Sequence, residues 1–186
     1  MRVVYLIWLF CLSLAVQGQK KETVSRINIK PSFTIGVLEG KSASAVQLNG
    51  GVGLKYKTNQ LGVGVGIDEY YLRSIPLYFD GRKYILPAES TPFVYGFVGT
   101  NLPWLKEIQK NSFTTTQRGL FYDVGIGYQL PIMYKHQLSI SAGYSYKEIS
   151  QEQNIPIFCI TWPCPEQRQY FQYQLRRLSL KAGINF

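Results

Sequence analysis

From Ile27 onward the chain alternates apolar residues with polar or small ones, segment after segment. The closing stretch LSLKAGINF carries the pattern to the last residue. Leu178, Leu180, Ala182, Ile184 and Phe186 share one parity, and Ser179, Lys181, Gly183 and Asn185 the other. Period two is the repeat of a β-strand, whose side chains point to opposite faces in turn. Helical periodicity is almost absent, so the chain is bound to an all-β fold.

Eight such segments can be read, at about 27–37, 45–57, 61–68, 74–84, 92–100, 120–130, 138–147 and the carboxy-terminal stretch. The fifth, PFVYGFVGT, is apolar or Gly on both faces, and its facing stays open. The turn-like stretches TNQ, LPAEST and PIMYKH are short, while the connections Leu102–Arg118 and Ile149–Gln169 are long. In an antiparallel meander this order puts the short turns at one end and both long loops at the other. The apolar parity changes between Leu175 and Leu178, which predicts a β-bulge near Arg176 and Arg177.

The composition of the two faces decides which side meets solvent. The polar face holds Gly51, Gly53, Gly62, Gly64, Gly66, Gly125, Gly127 and Gly143. Glycine weakens a solvent-facing strand without return, but fits the crowded interior of a narrow barrel. The other face carries Leu, Ile, Val, Phe and Tyr, which suits hydrocarbon with aromatic girdles at the rims. The segments have about the ~9–11 residues of a tilted spanning strand. In lipid an open sheet edge would leave N–H and C=O groups unpaired, so the last strand must close on the first. The expectation is an eight-stranded antiparallel up-and-down transmembrane β-barrel. Its inward face then holds Lys55, Asp68, Asp80, Arg82, Asp123, Lys147 and Lys181. These are expected to pair and fill the lumen, because an unpaired desolvated charge is costly.

The first 18 residues read differently. Arg2 precedes an apolar run from Val3 to Val16, and small residues end it at Val16 and Gly18. That is the layout of a cleaved secretory signal peptide at 1–18, leaving 19–186 as the barrel domain. The run is shorter than the ~20 residues of a spanning helix. Export permits a disulfide between Cys159 and Cys164, with two free thiols as the alternative. Lys and Arg outnumber Asp and Glu by 20 to 11 but are scattered, so nucleic acid is not an expected partner.

With these features in place, the chain resembles the OmpA/OmpX-type outer membrane β-barrel family of Gram-negative bacteria. The stretches SIPLYFDGRKY, TPFVYGF, FYDVGIGYQL and LSISAGYSYKE are similar to that family's strands. The resemblance implies a monomer in the cell outer membrane, with short periplasmic turns and two long extracellular loops. It also implies that Leu178, Leu180, Ala182, Ile184 and Phe186 act as the signal read by the barrel-assembly machinery. Architecture is well specified by such a resemblance, function poorly.

No catalytic residue, metal ligand or cofactor site is assigned. The stretch Gly36–Ser42 (GVLEGKS) lacks the spacing of a phosphate-binding loop. His136 falls in a short turn, and Ser145 with Lys147 reads as packing. The long loops are the expected contact surface, through Trp104, Lys106, Lys110 and Arg118 on one and Ile157, Phe158, Ile160 and Trp162 on the other. Their cations fit outer-leaflet lipid and lipopolysaccharide phosphates. A structural or loop-binding role is expected. The alternatives are a lipid-modifying enzyme, a narrow gated channel, or a secreted soluble barrel around an apolar ligand.

Overall fold

The computed structural model describes residues 28–40, 43–69, 73–104, 114–133, 136–155 and 167–186. Its strands are β1 (Asn28–Glu39), β2 (Ala45–Tyr56), β3 (Asn59–Glu69), β4 (Arg73–Tyr84), β5 (Thr91–Pro103), β6 (Thr114–Gln117), β7 (Gly119–Met133), β8 (His136–Ile155) and β9 (Gln167–Asn185). Neighbours pair antiparallel in the ring order β1, β2, β3, β4, β5, β7, β8, β9, and β9 returns to β1 from Ser32↔Asn185 to Glu39↔Leu178. The walls number eight, because β6 and β7 lie along the same partner, β8. Closure leaves no open edge at membrane depth, as lipid demands.

The faces follow the period-two reading. Phe79 is 68% and Ile126 67% exposed, while Asp123 and Lys147 are 0% exposed. Apolar side chains point outward and charges inward, the inverse of a water-soluble barrel. Each Val, Leu, Ile or Phe left in water would forgo about 1.5–3 kcal/mol of burial, so this exterior requires hydrocarbon. The soluble barrel with an apolar interior is thereby set aside.

Three expectations change. β8 and β9 stay in one register from Gln137↔Asn185 to Ile155↔Gln167, so there is no bulge at Arg176 and Arg177. The parity changes because Leu175 faces inward to pack on Leu38 and Ala45 above the charged lumen. The tight turn is at Lys57 and Thr58, one step before TNQ, and Lys57 takes a φ of 54° there. Finally, both long connections are partly strand: Thr114–Gln117 pairs with β8, and β8 runs on to Ile155 while β9 starts at Gln167. The run of β-branched threonines in β6 suits a strand.

The fifth segment also finds its facing. Phe93, Tyr95 and Phe97 of β5 point inward, joining Tyr78, Tyr84 and Phe121 in one buried aromatic cluster. Tyr78 stacks on Phe97 with centroids 4.7 Å apart. Neighbouring walls make room with glycine. A Cβ on Gly64 would stand 2.5 Å from the Tyr78 ring, and one on Gly125 2.9 Å from the ring of Tyr95. The lumen is a packed core, as an eight-stranded barrel requires.

Candidate functional site

The inward charges brace the barrel from wall to wall. Lys147 of β8 pairs with Asp68 of β3, which lies diametrically opposite in the ring. Ser74 Oγ receives Lys147 Nζ at 2.7 Å and donates to Asp68 Oδ1 at 2.5 Å. Deeper, Lys181 Nζ reaches Asp123 Oδ2 at 2.5 Å, and Tyr95 Oη donates to Asp123 Oδ1 at 2.9 Å. The Lys181 ammonium also lies 4.7 Å from the Phe97 ring centroid, a cation–π contact. Nearer the turn end, Arg82 Nη2 meets Asp80 Oδ2 at 2.9 Å, and Arg82 Nη1 donates to Asn185 Oδ1 at 3.3 Å on the opposite wall. Lys55 rests 3.9 Å from the Tyr84 ring centroid. All seven residues expected at the lumen face inward, and six of them form three ion pairs stacked along the barrel axis.

Sequence reasoning missed Arg177, Gln60 and Asn101 as lumen residues. Arg177 donates to the carbonyls of Leu38 (3.3 Å) and Ala43 (2.9 Å), tying β9 to the connection after β1. Gln47, Asn49, Gln60, Asn101 and Gln129 are buried on the same inner face. Their period-two positions among the glycines were the available signal.

At the opposite end, β8 and β9 outrun β1, whose pairing with β9 ends at Leu178. With β6 they form a three-stranded ribbon above the barrel. Its outer side is tied by Arg168 to Glu152 (3.6 Å), Tyr170 Oη to Glu152 (3.2 Å) and Gln172 to Glu148. Phe171 and Tyr173 stack on its inner side.

The expected contact residues divide. Trp104 follows β5, donates its backbone N–H to the Arg73 carbonyl at 2.9 Å and is half exposed beside the Arg73 guanidinium. Arg118 is exposed at the break between β6 and β7. Lys106, Lys110, Ile157, Phe158, Ile160, Trp162, Cys159, Cys164 and residues 1–18 lie outside the described residues.

The residues weighed for chemistry are placed too. His136 opens β8, edge-on to Phe186 with centroids 5.1 Å apart. Ser145 is buried opposite Asp123, and the Lys147 ammonium is taken by Asp68 and Ser74. Gly36 to Glu39 are part of β1.

A closed ring, an apolar outside and a charged inside decide the architecture. The fold is that of the small eight-stranded barrels of bacterial outer membranes. Similar structures include outer membrane protein OprG of Pseudomonas aeruginosa, with 10% identity over 85% of this chain and 94% of that one, at a TM-score of 0.54. Outer membrane protein AlkL, determined in lipid bilayers, matches with 14% identity over 90% and 94%, at 0.56. Neisserial surface protein A matches with 12% identity over 88% and 98%, at 0.51. No family model and no curated protein sequence matches the chain. Exterior and fold alike are those of a protein of the outer membrane.

Proposed function

We propose that this is a monomeric, non-catalytic outer-membrane barrel of the OmpA/OmpX type, acting in envelope structure and in binding through its loop end. The carrying observation is the braced lumen. Two contacts, Lys147 with Asp68 and Arg82 with Asn185, join opposite walls across a lumen packed with aromatic rings and buried polar side chains. Such an interior serves rigidity rather than passage. Activity is then left to the ribbon and the loops, where Trp104 and Arg118 offer an aromatic platform and a cation to outer-leaflet lipopolysaccharide. Assembly through the terminal Phe186 pattern belongs to the same reading.

The test has two arms. Refolded protein is added to planar bilayers, and its binding to lipopolysaccharide-containing vesicles is compared with that of Trp104→Ala and Arg118→Gln. The proposal expects no steady conductance and weaker binding by the variants. Reproducible single-channel steps would favour the narrow channel. Unchanged binding by both variants would remove the loop end from the contact.

A further inference from the structure

The turn-side mouth of the lumen gathers hydrogen-bond donors and positive charge. On the inward faces of β1 and β2, Lys30 lies across from Gly53 and Lys55 across from Asn28, so the two lysines are diagonal neighbours. Gln60 of β3 lies across from Lys55 on one side and from Arg82 on the other. Its amide folds back over Gly53, the residue facing Lys30, where a Cβ would stand 2.6 Å from Gln60 Nε2. Asn185 of β9 pairs with Ser32, two residues from Lys30 on the same face.

Both amides are deeply buried, Gln60 at 2% and Asn185 at 3% exposure. Their oxygens are in use. Gln60 Oε1 accepts from Tyr84 Oη at 2.9 Å, and Asn185 Oδ1 accepts from Arg82. These bonds set each amide's orientation and leave Gln60 Nε2 and Asn185 Nδ2 without an acceptor among the described residues. The nearby carboxylate, Asp80, is held by Arg82 through both oxygens. Lys30 and Lys55 form no ion pair among the described residues. Both lysines are part-exposed, so the mouth is reachable from solution.

Adjacent like charges repel, and a buried N–H without an acceptor forfeits its hydration. One oxyanion would relieve both. We propose that this mouth is a binding site for a phosphate-class oxyanion, held by Lys30 and Lys55 and by the amide nitrogens of Gln60 and Asn185. Two lysines without a carboxylate partner match the roughly −1.5 to −2 charge of a phosphate monoester at neutral pH better than a carboxylate's single charge. The donors are charge-assisted or already oriented, so little ordering is needed to bind. The group can be free phosphate or the headgroup of a phosphate-bearing lipid.

The full-length barrel, refolded in maltoside micelles in phosphate-free buffer, is titrated with inorganic phosphate and, separately, with dihexanoyl phosphatidate. Calorimetry and backbone amide shifts report binding. The expected result is one-site saturation, weakened at least tenfold in Lys30→Met/Lys55→Met. Gln60→Glu, which exchanges the donor for an acceptor at constant shape, should weaken it likewise and serves if the double variant does not refold. Lys57→Gly and Lys83→Gln, on the outer rim, should bind like the wild type. Saturation by phosphatidate alone, lost in the lumen variants, assigns the site to a lipid headgroup. Saturation by both assigns it to the phosphate group itself. Absence of saturation by either probe, or equal weakening by the outer-rim variants, overturns the proposal.

Discussion

Replacing Lys147 with Met tests whether the lumen is a dry, braced core. Lys147 and Asp68 are each 0% exposed and stand on opposite walls, with Ser74 between them. Met keeps much of the lysine stem's volume but removes the ammonium, leaving a buried carboxylate with Ser74 as its remaining hydrogen-bond donor in the cluster. Breaking one side of a buried pair costs about 3–5 kcal/mol, whereas an exposed pair contributes only about 0.2–1 kcal/mol. The two figures separate a dry strut from a hydrated one. With a urea slope of about 2 kcal/mol per molar, a loss of about 4 kcal/mol lowers the unfolding midpoint by about 2 M. The double variant Lys147→Met/Asp68→Leu removes both charges and should recover most of the loss, because apolar replacement of a whole buried pair is often neutral or stabilising. The assay is urea unfolding of the refolded barrel, followed by tryptophan fluorescence and by the gel mobility of unboiled samples. A single variant within about 1 kcal/mol of wild type, or a double variant worse than the single, would refute the reasoning.

Three further outcomes follow from the packing. Gly64→Val should block refolding, since its Cβ would lie 2.5 Å from the Tyr78 ring, while Gly50→Val, with nothing within 4 Å, should refold normally; the mobility shift on boiling reads both. Ile126→Arg on the lipid face should cost about 2–4 kcal/mol in vesicles, against about 0.5 kcal/mol at most for an ordinary water-facing site, measured by the same urea series. Deleting Phe186 should lower the amount of folded protein in the outer membrane without altering the stability of what does fold by more than about 1 kcal/mol, as fractionation and unfolding of the purified protein would report.

Strand positions and facings were legible because lipid and lumen enforce period two on every residue between the rims. Leu61, Val63 and Val65 could only face out once Gly62, Gly64 and Gly66 faced in. PFVYGFVGT resisted because the lumen accepts aromatic side chains wherever a neighbouring wall offers glycine. The match of Tyr95 to Gly125 becomes visible only with the register in hand. The membership of the lumen charges was written in the parity, but their partners were not. Asp68 and Lys147 meet across the ring because of strand stagger and closure, which no local pattern records. Leu175 misled for a related reason: beyond the charged layer the inner face turns apolar again, and a change in what the face packs against looks like a slip in register. Of the residues expected at the loop contact surface, only Trp104 and Arg118 lie among the described residues.

The pairing of β1 with β9 has a consequence for how the protein comes into being. Hairpins such as β2–β3 join residues a few positions apart, but Ser32 must find Asn185 across nearly the whole chain. Joining ends about 150 residues apart costs only about 2.4 kcal/mol more than joining ends about 10 apart, since the entropy rises with the logarithm of length. The obstacle is therefore one of order. Until β9 has been delivered, every intermediate presents two raw sheet edges, which neither lipid nor water-borne neighbours leave alone. The nascent sheet stays an open sector until the seam pairs, and only that last step removes both edges at once. A defect at either seam strand would trap the protein as a late, nearly complete species, whereas a defect in a middle hairpin would stop it early.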